Sequence, residues 1–514
     1  MIRKISGIAW TLGAVLLVAG CAKAVEDQPV ANTTDPFPDG FLWGTATAGF
    51  QVDMGCSTPC PDLKSDWYQW ATDPDIIAAN LTNGDPLEDG PGHWEHYAED
   101  YDLAVEVLHN NAYRMSIEWS RIFTTSTEHA ETHEELLAIA DMDAVAQYRS
   151  MFEAMRARGI EPIATLIHYS MPTWIHDGVD CHFNVDTCEN RGWLDGERLI
   201  PELAKYAGFA AREYGDLVDI WATMNEPYAI VLAGYVFPSE ERTNPPGLTD
   251  FDLNYAPVVI NNMIEAHARM YDAVHANDLV DANGDGVVTQ VGLVPNLAPT
   301  EPANPQREYD VIGAENAHQL YNIHMLDALI FGRWDSSFDG EVNEIREDWK
   351  GRMDYVGINY YTRLKLIGAR SQLAPGIPLF TFLPDMTDLF EVYPRGIYDV
   401  SMFVKERYDL PIYITENGTV SQPEETRAAE FVVNHLSWVR RAIAHGADVR
   451  GYFYWSLLDN YEWNHGYDMQ FGAFGYDVDT KERIEKHLAG VYGEIARENR
   501  LTEEVVATYG TATP

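Results

Sequence analysis

Positive charge is scarce in this chain. Lys and Arg number 35 against 80 Asp and Glu, a formal net charge of −45 over 514 residues. That balance excludes nucleic acid as a partner, because phosphate contacts need Lys and Arg. The acidic residues are spread along the chain and not gathered in a tail, which reads as a solvated acidic surface of the kind a saline habitat favours. Cysteine is rare too, five in all, and none stands in Cys-x-x-Cys spacing, so zinc is the lesser reading of them. The N-terminus lacks a bilayer-spanning run: after Arg3-Lys4 the apolar stretch from Ile5 to Ala19 is too short and fits a signal-peptide core. Apolar residues are plentiful at 46%, so a large core can be buried and global disorder is excluded.

The apolar stretch ends Leu17-Val-Ala-Gly-Cys21, which resembles a bacterial lipobox. Cys21 would then carry lipid and become the mature N-terminus, and Ala22 after it favours sorting to the outer membrane over an Asp there. The expected location is the cell envelope, on its periplasmic or surface side, with the membrane as partner only through the anchor. Residues 1–20 read as signal peptide, 21–35 as tether, 36–502 as one domain and 503–514 as a tail. Cys56, Cys60, Cys181 and Cys188 remain for an oxidising compartment; three pairings are open, and the local bridges Cys56–Cys60 and Cys181–Cys188 are expected.

From Pro36 onward, short apolar runs alternate with amphipathic stretches. Strands are expected at Leu42–Thr47, Ala112–Glu118, Pro162–His168, Ile220–Asn225, Val288–Pro295, Asp354–Tyr361, Ile412–Glu416 and Gly451–Leu457. Between them Tyr97, Tyr101, Ala104, Val105 and Leu108 form one helical stripe, and further helical patterns fall near 141–158, 200–214, 256–276, 314–331 and 424–445. Eight strand–helix units with no adjacent strands imply an α/β fold, a single (β/α)₈ TIM barrel with long βα loops, the longest between Arg363 and Arg395. The C-terminal ends of such strands carry function. Here they hold Gln51, Arg114, Glu118, His168, Asn225-Glu226, Asn359, Tyr361, Glu416 and Trp455. Two strands ending in Glu226 and Glu416 can aim paired carboxylates into one mouth, as glycoside hydrolysis requires.

Six segments, in order and on different strands, resemble glycoside hydrolase family 1, the retaining β-glycosidases. They are Phe41–Gln51, Tyr113–Arg121, Thr223-Met-Asn-Glu-Pro227, Gly357–Thr362, Ile414-Thr-Glu-Asn-Gly418 and Tyr454–Trp463. Ile117-Glu-Trp-Ser-Arg121 and Gly446–Gly451 stand nearer the branch with archaeal β-glycosidases. The resemblance implies Glu226 as acid/base and Glu416 as nucleophile, with Arg114 and Tyr361 orienting Glu416 and keeping it ionised. It implies a substrate-binding set of Gln51, His168, Asn225, Trp455, Glu462 and Trp463, and no cofactor. Members that cleave phosphorylated sugars carry Ser and Lys where this chain has Glu462-Trp463, and a carboxylate there repels phosphate. The myrosinase-like class, which has Gln as its acid/base, is disfavoured by Glu226.

The chain departs from that pattern in places. Tyr169-Ser170 follow His168 where the family has an aromatic and then Asp; Gln470-Phe471 replace Arg-Phe; and Phe390 is the nearest match to a Trp in the long loop. Phe471 and Phe390 therefore complete the expected substrate contacts, with aglycone preference in question. Asp281, Asn283 and Asp285 have the first, third and fifth positions of a calcium loop, but Gly292 stands where its bidentate Glu belongs, so a turn is the favoured reading. The sequon at Asn417-Gly-Thr419 abuts Glu416, where a glycan would block the mouth. The expected activity is exo-hydrolysis of terminal non-reducing β-linked sugars, β-D-glucose first among them. A non-catalytic sugar-binding lipoprotein and a transglycosylating β-glycosidase are the alternatives.

Overall fold

The computed structural model describes residues 33–240, 242–249, 253–374, 376–385 and 391–511. Cys21, the signal segment and Phe390 lie outside them. The barrel strands are β1 (Leu42–Ala46), β2 (Ala112–Ser116), β3 (Glu161–Ile167), β4 (Ile220–Asn225), β5 (Gln290–Val294), β6 (Tyr355–Asn359), β7 (Ile412–Asn417) and β8 (Val449–Trp455). They run in chain order around a closed parallel barrel, with β8 pairing back onto β1. Nearly every strand residue is buried, because helices cover the outer face and side chains fill the inside. The interior alternates small with large: a Cβ on Gly44 would sit 2.4 Å from the Phe453 ring, and one on Gly292 would sit 2.7 Å from Tyr355.

Around the barrel stand α1 (His93–Glu106), α2 (Met142–Ala157), α3 (Gly196–Tyr214), α4 (Tyr255–Asn277), α5 (His324–Phe331), α6 (Arg395–Arg407), α7 (Arg427–Ala444) and α8 (His487–Glu498). Each starts and faces as its sequence dictates. Asp141 caps α2 by accepting from the Asp143 and Ala144 amides, and Val145, Tyr148, Met151, Phe152 and Met155 bury one stripe at helical spacing. Burial of a side chain of that size is worth about 1.5–3 kcal/mol, so the stripe and not the cap holds the helix down.

Two segments differ from the sequence expectation. The loop from Arg363 to Arg395 contains Leu364–Gly368 and Phe382–Pro384, which join Thr300–Pro302 in a three-stranded side sheet. The expected tail at 503–514 opens with a further helix, α9 (Glu503–Tyr509), capped by Thr502 and held by buried Val505. Disulfides join Cys56 to Cys60 and Cys181 to Cys188. In the calcium-like loop the Asp281, Asn283 and Asp285 side chains accept the loop's own amides from Gly284, Gly286, Asp285 and Val287, which makes a turn. Among the described residues no helix is long and apolar enough to cross a membrane.

Candidate active site

Consecutive residues of a strand point to opposite faces, so Asn225 and Glu226 could not both reach the barrel mouth from a regular strand. The backbone solves this locally. Pairing of β4 with β5 shifts register before Asn225, and Glu226 takes a left-handed conformation (φ 42°, ψ 63°) ahead of Pro227. Strand β7 likewise shifts register against both neighbours after Ile414, which turns Thr415 and Glu416 into the mouth together.

The side chains then form one continuous network. Arg114, fully buried on β2, donates from Nη1 to Glu416 Oε1 at 2.7 Å and from Nη2 to Asn225 Oδ1 at 2.7 Å. Its Nε is held by Thr165 Oγ1 at 3.0 Å. The Tyr361 hydroxyl donates to Glu416 Oε2 at 2.7 Å. Asn359 Nδ2 donates both to Asn225 Oδ1 at 3.0 Å and to Glu226 Oε1 at 2.8 Å, while its Oδ1 accepts from Thr415. Tyr169 donates to the other oxygen of Glu226 at 2.8 Å. One guanidinium therefore holds Glu416 directly and Glu226 through Asn225 and Asn359.

The expected sugar-binding residues border this network. Asn225 Nδ2 donates to His168 Nε2 at 3.0 Å. Burial and the Arg114 charge hold His168 well below the usual imidazole range, so it is neutral and its proton sits on Nδ1, which has no partner among the described residues. Gln51 Nε2 donates to Asn460, to the Tyr461 carbonyl and to Glu462 Oε2, while its buried Oε1 has no partner among the described residues. A donor and an acceptor left over in a buried polar pocket match the two faces of sugar hydroxyls. Trp455 and Trp463 stack near the His168 ring at 5.7 and 6.0 Å, and Phe471 meets Tyr361 edge-on at 6.4 Å.

Burial outweighs the Arg114 charge at Glu416 and, with Glu226 nearby, pushes its carboxyl up to about 7. That direction is opposite to what Arg114 and Tyr361 alone would produce: they orient the carboxyl without making it a strong acid. Burial also raises Glu462, against the pull of Arg242 at 3.3 Å. Glu118 is absent from the network. It accepts from Ser116 at 2.6 Å and from Ser170, and sits with buried Asp53 and Asp62 and half-buried Arg121. Asn417 is fully buried and donates to the Tyr360 carbonyl, so the sequon is closed to a glycan.

The Glycosyl hydrolase family 1 profile matches residues 33–501. The chain belongs to that family. It is similar to a β-galactosidase of Pyrococcus woesei, 33% identical across 91% of this chain and 98% of the relative. β-Glucosidase A of Thermotoga maritima is 28% identical across 91% and 99%. The crystal structure of the β-glycosidase from Thermosphaera aggregans superposes with a TM-score of 0.79 at 29% identity, covering 93% of this chain and all of that one. The family 1 chain is thus an O-glycosyl hydrolase, and the (β/α)₈ barrel expected from the sequence is the fold observed. Arg242 was not anticipated: it comes from the loop after β4, which carries no motif. Asn359 was visible as a polar strand end within the matching segment Gly357–Thr362, without a role.

Proposed function

We propose that this family 1 chain is a retaining, exo-acting β-glycosidase that releases terminal non-reducing β-D-glucose. The reading rests on one observation, the bridging of Glu226 and Glu416 through Arg114, Asn225 and Asn359 in a single buried mouth. Glu416, oriented by Arg114 and Tyr361, attacks the anomeric carbon while Glu226 protonates the departing oxygen. Positive charge develops at the ring as the glycosidic bond breaks and is quenched as the glycosyl–Glu416 ester forms. In the second step Glu226, now ionised, takes a proton from water as the water oxygen bonds to the anomeric carbon and the ester bond breaks, which releases the sugar with its β configuration and frees Glu416. Buried Glu462, Gln51 and His168 pair with ring hydroxyls, and Trp455 forms the floor. Relatives carry both β-galactosidase and β-glucosidase names, so a panel of aryl β-glycosides compared by kcat/KM is the deciding assay. Glucoside as the best substrate supports the assignment; galactoside, fucoside or mannoside ahead of it replaces the sugar but keeps the reaction. Absence of turnover on every member of the panel overturns the enzyme.

The proposed location is the bacterial envelope, by lipid on Cys21. The support is the Leu17–Cys21 segment after a short apolar run and two disulfides on the body.

A further inference from the structure

Tyr169 is the aromatic that follows His168, beside the Ser170 that replaces the family's Asp, and its hydroxyl reaches the other oxygen of Glu226. We propose that Tyr169 is a positioning residue that assigns the transferable proton to Glu226 Oε2 and thereby sets the side from which the leaving group is protonated. The inference rests on Glu226 being the acid/base.

The assignment follows from which groups can only donate. Arg114 has no acceptor, so Asn225 Oδ1, which it contacts, must accept. The Asn359 group that also meets Asn225 Oδ1 is then its NH₂, and the same NH₂ donates to Glu226 Oε1 at 2.8 Å. An obligate donor on Oε1 disfavours a proton there. Oε2 faces a hydroxyl, at 2.8 Å, which donates to a carboxylate and turns to accept from a carboxylic acid. Tyr169 thus supports both protonation states, while Asn359 supports one. Burial and the Glu226 charge hold the phenol well above its usual range, so it does not itself ionise during turnover.

The backbone is committed to this contact. Tyr169 is held at φ 74°, Glu226 at φ 42° and Trp463 at φ 52°, and Tyr169 meets both of the others, bonding Glu226 and lying with its ring 4.8 Å from that of Trp463. Non-glycine residues rarely adopt that conformation, and it concentrates where side chains must be aimed. Glu226 is also faced by Glu416 on β7, Tyr361 beyond β6, Arg242 from the loop after β4, Tyr321 ahead of α5 and Glu462 beyond β8. Among the described residues the hydrogen bond to Oε2 comes from Tyr169 and from none of these groups.

The test is Tyr169→Phe, which keeps the ring against Trp463 and removes the hydroxyl. The hydroxyl's bond to the charged carboxylate is stronger than the one it accepts from the acid, so its loss moves the alkaline limb of kcat/KM upward by about half to one pH unit. For an alkyl β-glycoside kcat/KM falls by about tenfold, and for a dinitrophenyl β-glycoside, whose departure needs no proton, it stays within about twofold. Tyr169→Leu repeats the limb displacement even where loss of the ring lowers Tm. An unmoved limb with both substrates losing alike makes Tyr169 a packing residue and overturns the inference. Glu226→Ala, measured alongside, separates the two claims: equal losses on both leaving groups there sink the acid/base reading itself.

Discussion

Glu118 offers the cleanest separation of burial from catalysis. It is 1% exposed and accepts from Ser116 and Ser170, but burial dominates and lifts its carboxyl from 4.5 to about 7. The folded protein therefore binds its proton more tightly than the unfolded chain does. Stability from this group is full below the unfolded value and is lost as pH rises through the folded one. The loss between pH 5 and pH 8.5 is about 2.5 kcal/mol for a shift of this size, at about 1.4 kcal/mol per pKa unit. Glu118→Gln keeps the shape and both serine contacts but never charges, so it removes that slope. For a chain of this length about 1 kcal/mol moves Tm by about one degree. Differential scanning at the two pH values should then show the variant gaining about 2–3 °C on the parent at pH 8.5 relative to pH 5. An offset that is the same at both values would show that Glu118 is not a buried group with a raised pKa.

Other expectations follow from the same geometry. Glu416 attacks only when ionised and titrates at about 7, so kcat/KM should decline as pH falls through that region. Arg114→Met removes the charge that opposes burial and should move this acid limb upward; a limb that stays put would contradict the pairing. Arg242→Met should raise KM more than it lowers kcat, because Arg242 holds Glu462 and not the reacting carboxyls; an unchanged KM would refute it. Cys21→Ser should shift the enzyme from the membrane to the soluble fraction of cells, and retention in the membrane would remove the lipid anchor. An acidic surface fitted to salt should give an activity optimum above low salt, and an optimum at low salt would remove that reading.

Much of this was legible before any coordinates. Parallel strands buried on both faces read as apolar runs, and Ile220–Asn225 was located to the residue. Asn-Glu-Pro and Thr-Glu-Asn-Gly marked the two carboxylates because each ends such a run. The side sheet escaped because strands of three to five residues, such as Thr300–Pro302, carry too few positions to show a period. Arg242 escaped because its partner Glu462 lies 220 positions away and no local pattern announces the meeting. Tyr169 was visible as the aromatic after His168, but its bond to Glu226 depends on two left-handed residues that nothing in their own types predicts.

The central claim is that Glu226 and Glu416 act across one sugar ring. Retention requires carboxyl groups about 5–5.5 Å apart, and inversion about 6.5–9.5 Å. Proton NMR of the first sugar released from an aryl β-glucoside, read before mutarotation, decides between them. The β anomer appearing first is the predicted result, and the α anomer appearing first would contradict the account.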